Sequence, residues 1–124
     1  MKKILIVDDE KSVKILYEKV FQKEIASKEF EVIFSISGED ALGILNKDNQ
    51  NEVKLIISDI NMPGLSGFEL LKEIKNHDPN MPIFMSSAYT DTERQSLAKE
   101  LGADDYITKP VDFITLKEKI LRFL

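Results

Sequence analysis

Residues 54–67, KLIISDINMPGLSG, decide the reading of this chain. Leu55, Ile56, Ile57 and Ser58 form a short apolar or small run that ends at the carboxylate of Asp59, and Pro63 and Gly64 then force a turn before Ser66 opens a helix. A run this short suits a strand buried on both faces, and Asn, Pro and Gly directly after it mark a loop. Asp59 therefore falls at a strand's C-terminal tip. In open parallel sheets the crevice outside the carboxyl ends of the strands is where ligands bind, so a carboxylate there is a candidate for chemistry.

Upstream, the apolar run 4–7 ends in Asp8, Asp9 and Glu10, and Val13, Leu16, Tyr17, Val20, Phe21 and Ile25 then repeat at helical spacing. A second pair follows. Val32, Ile33, Phe34 and Ile36 make a strand within 30–36, and Ser37 with Asp40 resembles a helix cap before Ala41, Leu42 and Leu45. The polar run 46–52 is a loop. After Asp59 the third helix starts near Gly67, with Ser66 and Glu69 in a capping-box pattern and Phe68, Leu71 and Ile74 as its buried face. Asp78, Pro79 and Asn80 end it. Residues 82–85 form the fourth strand, running into Ser86, Ser87 and Ala88, and Thr90 with Glu93 again has the capping pattern. That fourth helix carries few apolar residues, Leu97, Ala98 and Leu101, before Gly102, so it is expected to be easy to displace. Residues 104–108 form the fifth strand, broken by Lys109 and Pro110. Asp112 and Thr115 open a last helix whose stripe is Phe113, Leu116, Ile120 and Phe123 or Leu124. Five strand–helix repeats in strict alternation predict an α/β fold, a mostly parallel sheet covered by helices on both faces.

At 124 residues the chain reads as one domain, 1–124, with no linker or low-complexity tract. Hydrophobic residues are 43% and charged residues 31%, an ordinary globular balance. No apolar run approaches the roughly 20 residues that span a bilayer, and Asp8 to Glu10 interrupt the N-terminal run too early for a signal peptide. Membrane insertion is not expected and a cytoplasmic location is. With no cysteine, disulfides, thiolate metal sites and thiol nucleophiles are excluded. A formal charge of -5 argues against direct nucleic-acid binding.

The polar residues arrive at corresponding places in successive units. Asp8 and Asp9 follow strand one, Asp59 strand three, Ser86 and Ser87 strand four, and Lys109 strand five. If the strands are parallel, all reach one edge. Three carboxylates together repel unless a proton or a cation intervenes, and an oxygen-only donor set suits a hard ion such as Mg²⁺. Lys109 adds a point charge suited to a phosphoryl group, and a serine hydroxyl can donate to one of its oxygens. A carboxylate nucleophile with these neighbours has the parts for phosphoryl transfer to an aspartate.

With Asp8-Asp9 after strand one, Asp59 followed by Asn61-Met62-Pro63-Gly64, Ser87-Ala88 after strand four and Lys109-Pro110 after strand five, the whole chain resembles the receiver domain of two-component response regulators. Each piece alone is weak evidence; their order and spacing are specific. The resemblance implies a doubly wound, five-stranded parallel sheet of the flavodoxin-like (CheY-like) kind, strand order 2-1-3-4-5. It implies that Asp59 takes a phosphoryl group from the phosphohistidine of a sensor histidine kinase or a histidine phosphotransfer protein. It also implies that Asp9, Asp59 and the backbone carbonyl of Asn61 bind Mg²⁺, with Asp8 acting mainly through a metal-bound water. Lys109 would pair with Asp59 and then with the phosphoryl group, Ser87 would move to bond a phosphoryl oxygen, and Tyr106 would turn inward into the space that movement opens. These changes would shift the surface of the fourth helix, fifth strand and last helix, where partners read the state. Asn61 and Tyr89 stand where the family tunes phosphoryl lifetime, and a cis bond is implied before Pro110.

Plainer readings stand beside these. Read singly, Asp8, Asp9 and Asp59 are strand-ending turn residues, Lys109 a solvated charge and Tyr106 a half-exposed strand aromatic. Ser86 reads as a small packing residue, and His77, at a helix end, as a surface residue. A rival class is a Mg²⁺-dependent phosphohydrolase working through an aspartyl phosphate. The haloacid dehalogenase type, however, wants a DxD motif on the first strand, whereas Asp8 and Asp9 are adjacent. A third reading is a receiver-like module that only binds partners. The expectation is a phosphoacceptor module, monomer or weak dimer, that assists its own phosphorylation and dephosphorylation without being a turnover enzyme. Its last helix reaches Leu124, so a stand-alone regulator is expected; a receiver with a fused output domain would read the same.

Overall fold

The computed structural model describes residues 1–88 and 92–124. Five strands, β1 (Lys3–Val7), β2 (Glu31–Ser35), β3 (Val53–Asp59), β4 (Ile83–Ser87) and β5 (Asp105–Thr108), pair in the order β2-β1-β3-β4-β5. Every pairing is parallel. The order matches the one implied by the resemblance, and it puts β1 and β3 side by side at the centre.

Around the sheet lie α1 (Lys11–Val20), α2 (Gln22–Ala26), α3 (Gly38–Asn46), α4 (Gly67–His77), α5 (Thr92–Glu100) and α6 (Phe113–Phe123). Strand alternation divides the apolar residues between two layers. Leu5, Ile56, Ile83 and Met85 pack with Ala41 of α3, Leu70, Leu71 and Ile74 of α4 and Ala98 of α5. Ile4, Ile6, Leu55, Ile57 and Phe84 pack with Tyr17 of α1, Phe21, Phe30 and Leu116 and Ile120 of α6. β3 and β4 are covered on both sides, which is why their sequences read as continuous apolar runs instead of alternating ones.

The expected caps at Ser37, Ser66 and Asp112 are where the sequence puts them. Ser37 accepts from the Asp40 amide at 3.0 Å, and Asp112 accepts from the Ile114 and Thr115 amides. Ser66 and Glu69 form a reciprocal box, each bonding the other's backbone N–H at 3.2 Å. The expected cap at Thr90 lies outside the described residues. α5 buries only Ala98 among its described side chains, with Leu97 exposed, in keeping with its sparse apolar pattern.

Three expectations need correction. The continuous helical pattern from Val13 to Ile25 is two helices, because Phe21 leaves helical geometry at φ -100, ψ 21. Phe21 itself is buried, stacked at an edge against Phe30, so its ring is anchored in the core where the helix axis breaks. Of the expected face, Tyr17 and Phe21 are buried, but Leu16 is 46% and Val20 38% exposed. The apolar stripe of α1 is wider than the contact it makes. Ile36 lies past the end of β2 and is exposed.

Among the described residues no helix is long and apolar enough to cross a membrane. The capping box makes a direct test of how α4 is anchored. Ser66→Ala should lower stability by about 1 kcal/mol, read as a shift in urea midpoint at constant m-value; an unchanged midpoint would show that the cap carries no weight here.

Candidate functional site

Pairing Val7 with Ser58 in register brings the tips of β1 and β3 together, so Asp8 and Asp9 adjoin Asp59. One carboxylate oxygen from each of the three can be chosen so that all lie within 4.8 Å of one another. Asp8 is buried, Asp9 exposed and Asp59 between the two. β5 delivers Lys109 from the other side. Its Nζ lies 3.0 Å from Asp8 Oδ2 and 3.7 Å from Asp59 Oδ2. The nearer partner is Asp8, where the resemblance names Asp59. The Lys109–Pro110 peptide is cis.

Backbone donors hold the acids in place. The Ile60 amide donates to Asp59 Oδ1 at 2.8 Å and the Glu10 amide to Asp8 Oδ1 at 3.0 Å. The Lys109 amide donates to the Ser87 carbonyl at 2.9 Å, and the Ile60 amide lies 3.2 Å from the Ser86 carbonyl. Thus β3, β4 and β5 are tied at the level of the site.

The electrostatics follow from burial. Burial pushes the Asp59 carboxyl up, the Lys109 ammonium pulls it down, and the charges of Asp8 and Asp9 push it up again; the net direction is upward. For Lys109, burial favours loss of its proton, but the hydrogen bond to Asp8 and the charges of Asp59, Asp8 and Glu10 outweigh it and raise its pKa. Tyr17, buried beneath the cluster, has its phenol raised by burial and then by Asp8. One lysine against three carboxylates leaves negative charge in excess. An all-oxygen donor set with that excess fits a hard divalent cation such as Mg²⁺.

Below the acids a cavity of about 240 Å³ runs in between α1 and the segment after Lys109, lined by Tyr17, Ile57, Asp59, Ser86, Lys109 and Val111 among others. Ser86 therefore faces the side of the sheet that carries the Asp59 carboxylate, a place the packing reading did not assign it. Ser87 is buried at the last register pair of β4 with β5, opposite Thr108. Tyr106 is half-buried against the α4–α5 layer, beside Met85 in register. Asn61 is exposed in the loop after β3, and His77 is exposed at the end of α4. Tyr89 lies outside the described residues.

Sequence reading passed over Gly67 as a functional position. A Cβ there would lie 2.1 Å from the Asp59 carbonyl oxygen and 2.7 Å from the Ile60 Cα. Only glycine lets α4 begin this close to the acid. The Gly67 amide donates to the Ile60 carbonyl at 2.8 Å, closing the loop's two ends together. A glycine next to a capping serine carries no such signal in the sequence, because its reason is a backbone several residues away.

Because Asp59 holds its proton more tightly folded than unfolded, its contribution is stabilising below the ordinary carboxylate range and is lost as pH rises through the raised value. At neutral pH without divalent cations, Asp59→Asn should therefore melt a few degrees above the unsubstituted protein. The gap should close toward acid, and added Mg²⁺ should raise the unsubstituted protein more than the variant. Scanning calorimetry reads both, and a lower melting point for the variant at neutral pH would contradict the charge assignment.

Known proteins resemble this chain in sequence and in fold. Sporulation initiation phosphotransferase F of Bacillus subtilis is 33% identical over 122 residues, 98% of this chain and 93% of that protein. The alkaline phosphatase synthesis transcriptional regulatory protein PhoP of the same organism is 38% identical over 109 residues, 88% of this chain but 42% of that protein. The chain thus spans nearly the whole of one curated relative and less than half of several others. Among solved structures, a response regulator receiver domain protein from Clostridium thermocellum superposes with a TM-score of 0.86 at 30% identity, covering 98% of this chain and 93% of that one. A chemotaxis response regulator of Vibrio cholerae gives 0.84 at 31%, covering 100% and 99%. The family model described as the response regulator receiver domain matches residues 4–121, and with the parallel 2-1-3-4-5 sheet and its acidic edge the chain belongs to that family.

Proposed function

We propose that Asp59 is the phosphoacceptor, taking a phosphoryl group from a phosphohistidine of a sensor histidine kinase or a histidine phosphotransfer protein. The observation that carries the reading is Asp59 at the tip of β3, with the Lys109 ammonium at 3.7 Å and two more carboxylates within ligand distance. A carboxylate oxygen of Asp59 donates its electron pair to phosphorus as the phosphorus–nitrogen bond of the donor imidazole breaks, and that electron pair stays on the imidazole nitrogen. The Ile60 amide keeps the other Asp59 oxygen fixed, so the attacking oxygen is oriented. Lys109 faces the transferred oxygens as a cation that keeps its proton, since its pKa is raised.

Asp8, Asp9, Asp59 and the Asn61 carbonyl are the groups that would hold Mg²⁺, Asp8 mainly through a water. When bound, the ion supplies the positive charge that offsets these acids and the developing phosphoryl charge. The Ser87 hydroxyl moves to bond a phosphoryl oxygen, and Tyr106, half-buried beside β4, turns inward into the space that this movement opens. The thin anchoring of α5 supports a shift of the α5–β5–α6 surface as the signal that partners read. Asn61 and Tyr89 tune how long the phosphoryl group lasts. The chain acts as a single receiver domain over 1–124, cytoplasmic, a monomer or weak dimer without direct nucleic-acid contact. It assists its own phosphorylation and dephosphorylation but turns over no external substrate. The effector or output domain that it addresses is a protein surface complementary to α5–β5–α6.

Incubation with acetyl phosphate followed by intact-protein mass spectrometry tests the chemistry. A single labile phosphoryl adduct should appear with Mg²⁺ and vanish in Asp59→Asn or without Mg²⁺. No adduct from this donor or from a phosphohistidine donor would sink the reading. Turnover of external phosphate esters would favour the phosphohydrolase. Tyr89→Ala should change the rate of adduct loss severalfold, and an unchanged rate would remove Tyr89 from the account.

A further inference from the structure

The loop between β3 and α4 is held from outside by the start of α3. Glu39, in the first turn of α3, accepts a hydrogen bond from the Leu65 amide through Oε1 at 3.2 Å. Its Oε2 lies 2.7 Å from where a Cβ on Gly64 would stand. Gly64 sits at φ +76, in the left-handed region, so its backbone favours glycine there. Next to it, the Leu65 side chain fills the space over Gly38, 2.9 Å from a Cβ position there. Residues 38–39 thus grip residues 64–65 by shape and by one hydrogen bond.

The other end of the loop is fixed to the acid. The Ile60 amide binds Asp59 Oδ1 at 2.8 Å, and the Gly67 amide binds the Ile60 carbonyl. Between those points, among the described residues, the loop's amides are bonded by two side chains from flanking helices, Glu69 of α4 on Ser66 and Glu39 of α3 on Leu65. We propose that Glu39 is a positioning residue of the phosphoacceptor site: by holding the Leu65 amide it fixes the path of residues 61–66, and with it the setting of Asp59 and of the Asn61 carbonyl toward a divalent cation.

This role rests on the proposed function for what the site binds. Glu39 is exposed and carries a charge, so position and electrostatics must be told apart. Glu39→Gln removes the charge but keeps an acceptor oxygen for Leu65; Glu39→Ala removes both. The measurement is Mg²⁺ titration of the unphosphorylated protein by NMR, together with the hydrogen-exchange rate of the Leu65 amide. Loss of one neutral-strength hydrogen bond corresponds to about threefold to tenfold. Glu39→Ala should weaken Mg²⁺ binding by about that factor and speed Leu65 exchange, while Glu39→Gln stays near the unsubstituted protein in both. If Glu39→Gln weakens Mg²⁺ binding as much as Glu39→Ala, the effect is charge and the proposal falls. If the unsubstituted protein binds Mg²⁺ and neither variant changes that, the positioning role alone is overturned. Unsubstituted protein that binds no Mg²⁺ overturns the functional reading together with this role.

Discussion

Like charges forced side by side are the constraint on which this molecule turns. The parallel pairing of β1 with β3 makes two strand tips end together, and both tips carry carboxylates. Folding brings that repulsion into a half-buried place where water screens it poorly. The apolar lengths of the same two strands, which are almost fully covered, hold the tips there in spite of it. Lys109 reaches the site because β5 follows β4 at the edge, and it offsets one of the charges. The remaining imbalance leaves the described carboxylates of the site net negative, which suits a hard cation.

Positioning is achieved mostly by backbone. Asp59 and Asp8 each receive an amide, β4 lends carbonyls to the residues after β3 and β5, and Gly67 lets a helix start against the acid itself. Side chains with long, mobile stems are used sparingly. Such a site loses little conformational freedom when a ligand arrives, since peptide groups in the sheet are already fixed.

The sequence makes some of this plain and hides the rest for physical reasons. Strand tips were legible because apolar runs stop abruptly at Asp8, Asp59 and Lys109, and the caps at Ser37, Ser66 and Asp112 were legible because capping is local. Strand order was not; alternation of elements fixes a layer architecture, and only the resemblance carried the order 2-1-3-4-5. Helical spacing overstated the buried face of α1, since periodicity shows which side is apolar but not how much of it the sheet covers, and Leu16 and Val20 stay outside. Gly67 and Glu39 were silent because each owes its role to atoms that only the fold brings near: a neighbouring carbonyl folded back, and a loop twenty-six positions on.

The end of β4 has a consequence of its own. Ser86 and Ser87 are consecutive, so the pleat turns them to opposite faces of the sheet, one toward the cavity under Asp59 and the other toward the α4–α5 layer. The sheet lies between the two helical layers. A substitution at this strand end therefore borders both layers at once, one serine to each.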